Sequence, residues 1–167
     1  MVKAVSNSTP LIYLAKLNQL PNLFKVLDRL YIPEEVHQEV VVNGKALGKP
    51  EVVVIEEFIQ KGFIEVRKAK PRSMPITTLH VGELAAISLA SSMKEKWILV
   101  DDKEAVEACN VLGLQPHRTT TLLLEFLKRK LITPKEFESL LLQLTQAGYF
   151  LKADVFDYLV REARKRK

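Results

Sequence analysis

The apolar positions come in short runs that alternate with longer stretches of helical period. VKAVS is an apolar run closed by small polar residues, the pattern of a buried strand. From Thr9 through about Leu17 the apolar residues recur at helical spacing, and LPNLFKVLDRL repeats the pattern with Pro21 near its start. LYIP reads as a short strand ended by Pro33, and PEEVHQEVVV as a helix with Val36 and Val40 on one face. NGKALGKP, with two glycines, predicts a loop. PEVVVIEEFIQKG predicts a helix closed by Gly62, FIEVRK a strand, and KPRSMPITT a proline-bearing linker. VGELAAISLASSMKEK predicts a helix, WILVDD a strand buried on both faces, and KEAVEACNVLG a helix stopped by Gly113. LQPH is short and extended. TTTLLLEFLKRKLI and TPKEFESLLLQLTQAG predict helices, each capped by a threonine, and YFLKADVFDYLVREARKRK predicts an amphipathic helix. No internal repeat or low-complexity segment interrupts this order.

Strand–helix alternation of this kind predicts a three-layer α/β/α architecture around a central parallel sheet. A chain of 167 residues, 47% hydrophobic, is one domain of ordinary size with a real core. We place the α/β domain at 1–150, with 151–167 a basic amphipathic helix packed on it or extending from it. No charged-then-apolar leader and no apolar stretch of bilayer length is present, so the sequence predicts a soluble, cytoplasmic protein with no membrane partner. The single cysteine, Cys109, cannot pair internally, and its helical spacing predicts a buried thiol. The net charge of +5 permits an anionic partner such as nucleic acid. The runs RKAKPR and REARKRK hold 9 of the 25 Lys and Arg residues.

Neither a Gly-rich phosphate loop nor a Cys/His metal cluster nor a Ser-His-Asp spacing occurs. His37, His80 and His117 are scattered and read as surface or local packing. What remains is a set of polar residues at strand and helix ends. Asn7 ends the first strand, Asp101 and Asp102 end WILV, Glu83 opens the helix before it, and Glu34, Glu35 and Glu39 lie on PEEVHQEV. Open α/β sheets bring the carboxyl ends of distant strands together. Each acid has a plain structural explanation: Glu83 favours a helix dipole, Asp102 caps a helix, Glu39 is a solvated face. The adjacent Asp101–Asp102 pair is harder to explain so, because like charges repel and a cation relieves them. A carboxylate cluster without a nucleophile or histidine base suits metal-assisted phosphodiester hydrolysis with Mg²⁺ or Mn²⁺.

NSTPLIYLAKL, YIPEEVHQEV, HVGELAAISLA and ILVDDKEA, in that order, resemble the four acidic motifs of the PIN-domain nucleases. The likeness is strongest to a subgroup related to VapC toxins with a Ser/Thr-Pro-Leu-Ile first motif. It runs almost end to end, through the helix TTTLLLEFLKRKLIT and the extension LLLQLTQAGYFLK. The resemblance implies a PIN-like fold and a metal-dependent ribonuclease, often a toxin restrained by an antitoxin protein, and usually a homodimer. By position it implies catalytic roles for Glu39, Glu83, Asp101 and Asp102. Metal ligation falls to Asn7, Glu83, Asp101 and Asp102, with Asp102 at the better spacing. Thr9 matches a small hydroxyl residue near the first motif. Arg67, Lys68, Lys70 and Arg72 are the candidate RNA contacts, a reading the charge pattern also allows. Asn7 departs from the family, whose best-known members carry aspartate there; its amide oxygen can ligate a hard cation but brings no charge. Apolar-rich LYIPEEV and the LIYLAKL face add weak support for a dimer. Two other readings stand beside the ribonuclease: a non-catalytic PIN-like RNA-binding or regulatory module, and an acidic-pocket α/β protein of the response-regulator or phosphatase kind.

Overall fold

Five short strands build one sheet in the order β3-β2-β1-β4-β5, every neighbouring pair parallel. They are β1 (Lys3–Ser6), β2 (Arg29–Pro33), β3 (Ile64–Arg67), β4 (Trp97–Leu99) and β5 (Gln115–His117). This computed structural model describes residues 2–70 and 79–166. The helices are α1 (Ser8–Lys16), α2 (Leu20–Val26), α3 (Glu34–His37), α4 (Asn43–Ala46), α5 (Glu51–Gln60), α6 (Val81–Met93), α7 (Lys103–Val111), α8 (Thr119–Lys128), α9 (Pro134–Gln146) and α10 (Ala153–Arg164). A π-helical turn, Gln38–Val42, joins α3 to α4.

The expected three-layer α/β/α architecture is the one adopted. Successive strand residues point to opposite faces, and both faces are covered. Ala4, Leu30, Ile32 and Leu99 join the core beneath α1, α2, α5, α8 and α9. Val5, Tyr31, Ile98 and Val100 join a second core beneath α6 and α7. That alternation explains why the central strands read as continuous apolar runs. Each fully buried Leu or Ile contributes roughly 1.5–3 kcal/mol.

The chain builds β1, β2 and β3 outward in one direction, then returns to lay β4 on the other side of β1. This reversal opens a crevice at the carboxyl ends of β1 and β4, where sheets of this kind place their ligands. Asn7 follows β1 directly, and the Asp101–Asp102 pair follows β4 after Val100.

Two local expectations are corrected. NGKALGKP is not all loop, because Asn43–Ala46 is helical. Gly44 is there for space: a Cβ would lie 2.6 Å from Cγ2 of Val52 on α5. Helix α8 is not capped by a threonine; Arg118 holds the N-cap position without a side-chain bond. Of the apolar residues in LYIPEEV and LIYLAKL, Leu11, Leu14, Leu30, Ile32 and Val36 are fully buried within this chain, and Ile12 and Tyr13 are half-buried.

Helix α9 starts as expected. The Thr133 hydroxyl accepts from the Glu136 N–H at 3.1 Å and the Glu136 carboxylate accepts from the Thr133 N–H at 2.6 Å. Helix α10 packs on α9 and α8 through Leu159 and Ala163, with Arg164 paired to Glu138 at 2.8 Å. Cys109 is fully buried in α7, and burial pushes its thiol up to about 12. Among the described residues no helix is long and apolar enough to cross a membrane.

Candidate active site

Asn7 is the first residue beyond β1, and its N–H donates to the Leu99 carbonyl at 3.0 Å, prolonging the β1–β4 pairing. Its backbone is extended and its side chain does not cap α1. The amide group is therefore left for the crevice rather than spent on the helix. Ser8, the first residue of α1, donates its hydroxyl to Oε2 of Glu39 at 2.9 Å. Glu39 reaches this position from the π turn, where Val40 and Val41 are both buried. Turns of this kind are frequent at functional sites.

Gly82, in the first turn of α6, fixes where these groups meet. A Cβ there would stand 3.3 Å from Oε2 of Glu39 and 3.5 Å from Oδ1 of Asn7. Both side chains thus converge on the backbone beside Glu83. Glu83 is 5% exposed. Its Oε1 accepts from the His80 N–H at 3.3 Å, while Oε2 is buried with no partner among the described residues. Burial, foremost, holds this carboxyl above the usual range; the charges of Asp102 and Glu104 add to it, against the His80 N–H and side chain. A buried acceptor without a donor costs about 1–3 kcal/mol, and more when charged.

The two adjacent aspartates have separate tasks. Asp102 is the N-cap of α7: Oδ2 accepts from the N–H groups of Glu104 and Ala105 at 3.0 and 3.2 Å. The cap leaves Oδ1 unused. Asp101 turns to α8 and the C-terminal extension. Its Oδ1 accepts from the Thr119 N–H at 2.9 Å and the Tyr149 hydroxyl at 2.6 Å, and its Oδ2 from the Thr119 hydroxyl at 2.7 Å. Three of about four acceptor positions on that carboxylate are taken.

The structure thus brings the side chains of Asn7 and Glu39 together at Gly82, next in the chain to Glu83, whose carboxyl feels the charge of Asp102. Among the described residues no three His, Cys, Asp or Glu side chains are grouped closely enough to hold a metal ion by themselves. The group includes the Asn7 amide, and its donors are all oxygen, the kind a hard divalent cation takes. Oε2 of Glu83 is left without a partner among the described residues, as are Oε2 of Glu35 and of Glu51.

Thr9 lines a cleft of about 820 Å³ together with Asp101 and Asp102. The basic run lies elsewhere. Arg67 ends β3, two strands from β1, where it pairs with Glu65 at 2.8 Å and lies over the Tyr31 ring at 4.5 Å. Lys68 and Lys70 are exposed beyond it, and Arg72 lies outside the described residues. His117 stacks on Trp97 with ring centroids 3.8 Å apart, and burial lowers its pKa.

Sequence reasoning missed Ser8 as the partner of Glu39, Gly82 as the meeting point, and Lys103, Arg118, Tyr149 and Lys152 on the cleft wall. Arg118 follows β5 as closely as Asn7 follows β1, and Lys103 is the fourth residue beyond β4. The rule that singled out Asn7 reaches them too.

The fold is a five-stranded parallel α/β sheet with Asn7, Asp101 and Asp102 at the ends of its switch-point strands. The chain matches the family described as DUF3368, PIN domain, over residues 3–165, and it belongs to that family. In fold it is similar to a PilT N-terminus domain protein, SSO1118, from the hyperthermophilic archaeon Sulfolobus solfataricus P2. The two are 17% identical with a TM-score of 0.51, over 75% of this chain and 92% of that one. No curated protein matches the chain. PIN domains are generally nucleases, and they generally use divalent metals.

Proposed function

We propose that this protein is a divalent-metal-dependent endoribonuclease of the VapC-like kind, the toxin of a toxin–antitoxin pair, acting in the cytoplasm as a homodimer. The observation that carries the metal site is the buried, partnerless Oε2 of Glu83 beside the convergence of Asn7 and Glu39. Glu83, Glu39, Asp102 and the Asn7 amide oxygen would hold Mg²⁺ or Mn²⁺. Bound there, the ion supplies an acidified water and offsets charge on the transferring phosphate. The residues of the chain do the rest. Ser8 fixes one Glu39 oxygen. The α7 cap restrains Asp102 to one orientation. Asp101 ties the end of β4 to α8 and the C-terminal extension through Thr119 and Tyr149, and Thr9 borders the cleft beside it. Lys68 and Lys70, with Arg67 and Arg72, supply outlying positive charge for RNA. An antitoxin arginine entering the crevice would compete with the metal for the same carboxylates.

The test is cleavage of a labelled single-stranded RNA panel with Mn²⁺, Mg²⁺ or EDTA, by wild type and Glu83→Ala. The expected result is cleavage that requires metal and disappears in Glu83→Ala. RNA binding without cleavage under every condition would replace this reading with a non-catalytic RNA-binding module. The uncharged Asn7 is the observation that favours that second reading.

A further inference from the structure

Beside the acidic crevice lies the cleft already described, and neither Glu83 nor, among the described residues of the basic run, Arg67, Lys68 or Lys70 lines it. Its wall carries Lys103, Arg118 and Lys152, none of which joins an ion pair among the described residues. Four helices start at the cleft: α1 near Thr9, α7 at Lys103, α8 after Arg118, and α10 after Lys152. Each is nine residues or longer; the starts of α7 and α8 are taken by the Asp102 and Asp101 carboxylates, and those of α1 and α10 carry no side-chain cap. The rim carries Phe150, 82% exposed, on the turn between α9 and α10. The underside is closed by Tyr13 and Tyr149, packed edge to face with centroids 5.2 Å apart.

Cationic side chains beside one flat exposed ring form the combination that binds single strands: phosphates take the charge and a base takes the ring. Asp102 belongs both to this wall and to the acidic group. A strand in the cleft therefore continues toward the carboxylates. We infer that the cleft is a single-stranded RNA subsite, in which Phe150 stacks on a base and Lys103, Arg118 and Lys152 hold the neighbouring phosphates. This inference rests on the ribonuclease reading and names how that site takes its substrate.

The test is binding of a fluorescein-labelled single-stranded RNA to the full chain in EDTA, where no metal-dependent cleavage intervenes. Wild type, Phe150→Ala, Phe150→Trp and Arg118→Ala are compared with intact RNA and with RNA carrying one abasic residue, scanned along the strand. Phe150→Ala is expected to weaken intact RNA about five- to one-hundred-fold, as loss of one stacked base does. Phe150→Trp is expected to stay within about twofold of wild type, a ring replacing a ring. At one abasic position wild type and Phe150→Ala are expected to bind alike. Arg118→Ala is expected to weaken all sequences evenly and lower the salt slope by about one. Equal loss on intact and abasic RNA at every position would overturn the stacking role. Undiminished binding by Phe150→Ala would overturn the subsite, leave the nuclease reading to its own cleavage assay, and assign the ring to a protein partner. If wild type binds no single-stranded RNA, the subsite falls together with the RNA substrate.

Discussion

The hydroxyl of Tyr149 donates a 2.6 Å hydrogen bond to Oδ1 of Asp101, across 48 residues of chain. Through it the segment after α9 is tied to the end of β4. Burial, and then the negative charge of Asp101, raise the tyrosine well above its ordinary value, so it stays protonated and donating. Asp101 also takes both the N–H and the hydroxyl of Thr119 at the start of α8. This carboxylate is a junction between sheet, α8 and the C-terminal extension. Tyr149→Phe leaves the ring packing on Tyr13 intact and removes only the donor. A hydrogen bond to a charged group contributes about 1.5–3 kcal/mol, so urea unfolding should show a loss of that size. RNA cleavage by the folded variant should change little, whereas Asp102→Ala should abolish it. Loss of cleavage in Tyr149→Phe without loss of stability would place Asp101 among the metal ligands instead.

This division of the Asp101–Asp102 pair marks where the sequence stops being informative. The strands were legible because Val5, Leu30, Ile32, Ile98 and Leu99 are buried whichever face they take. The switch point followed from the order of the elements, and with it the place of Asn7 and the aspartate pair at the carboxyl ends of β1 and β4. Adjacency suggested that both aspartates share one task. Their roles depend on what packs above them, and Thr119 and Tyr149 come from distant segments. The π turn was illegible for a related reason. Val36 and Val40 fit an ordinary helix, and only packing against the core buries Val41 as well. Phe150 and Lys152 join the site solely through the fold of the extension.

Gly82 is a sharper probe of the site than any of its acids. A methyl group there would press on Oε2 of Glu39 at 3.3 Å and Oδ1 of Asn7 at 3.5 Å. The Glu39 side chain is exposed and can give way, so the fold should survive. Alanine also has the higher helix propensity, by about 1 kcal/mol. Gly82→Ala is therefore expected to melt at or above the wild-type temperature. Displacing two ligand groups should lower metal affinity about ten- to one-hundred-fold, the usual cost of disturbing how ligands are held. Isothermal titration with Mn²⁺ measures this, and unchanged affinity would remove Asn7 and Glu39 from the site.

Asn7→Asp restores a charge beside Glu39 and Glu83. A like charge placed there raises the repulsion in the metal-free protein and strengthens attraction for a divalent ion. Metal affinity should rise about tenfold or more, since one added unit charge at contact distance is worth over 1.4 kcal/mol. The melting temperature in EDTA should fall. Metal should then stabilise the variant more than it stabilises wild type, by mass action on the folded state. Thermal melts across a Mn²⁺ series check all three. Equal responses in the two proteins would mean that the side chain at position 7 does not face the ion.

Glu83 provides the pH dependence. Burial and the charges of Asp102 and Glu104 raise its folded pKa above the ordinary value of 4.5. The folded protein therefore holds this proton more tightly than the unfolded chain does. The stabilising contribution is complete below the ordinary carboxylate range and is lost as pH rises through the raised value. At neutral pH in EDTA the ionised side chain, with one oxygen unpartnered, is a liability. Glu83→Gln removes the charge, so the metal-free variant should be at least as stable as wild type at pH 7 and should lose its advantage near pH 4. Adding Mn²⁺ at pH 7 should reverse the order, stabilising wild type and leaving Glu83→Gln nearly unmoved, because a ligating carboxylate must be ionised. Denaturant melts at both pH values, with and without metal, decide it. A variant that is less stable than wild type in EDTA at pH 7 would show that Glu83 Oε2 already has the partner a cation was invoked to provide.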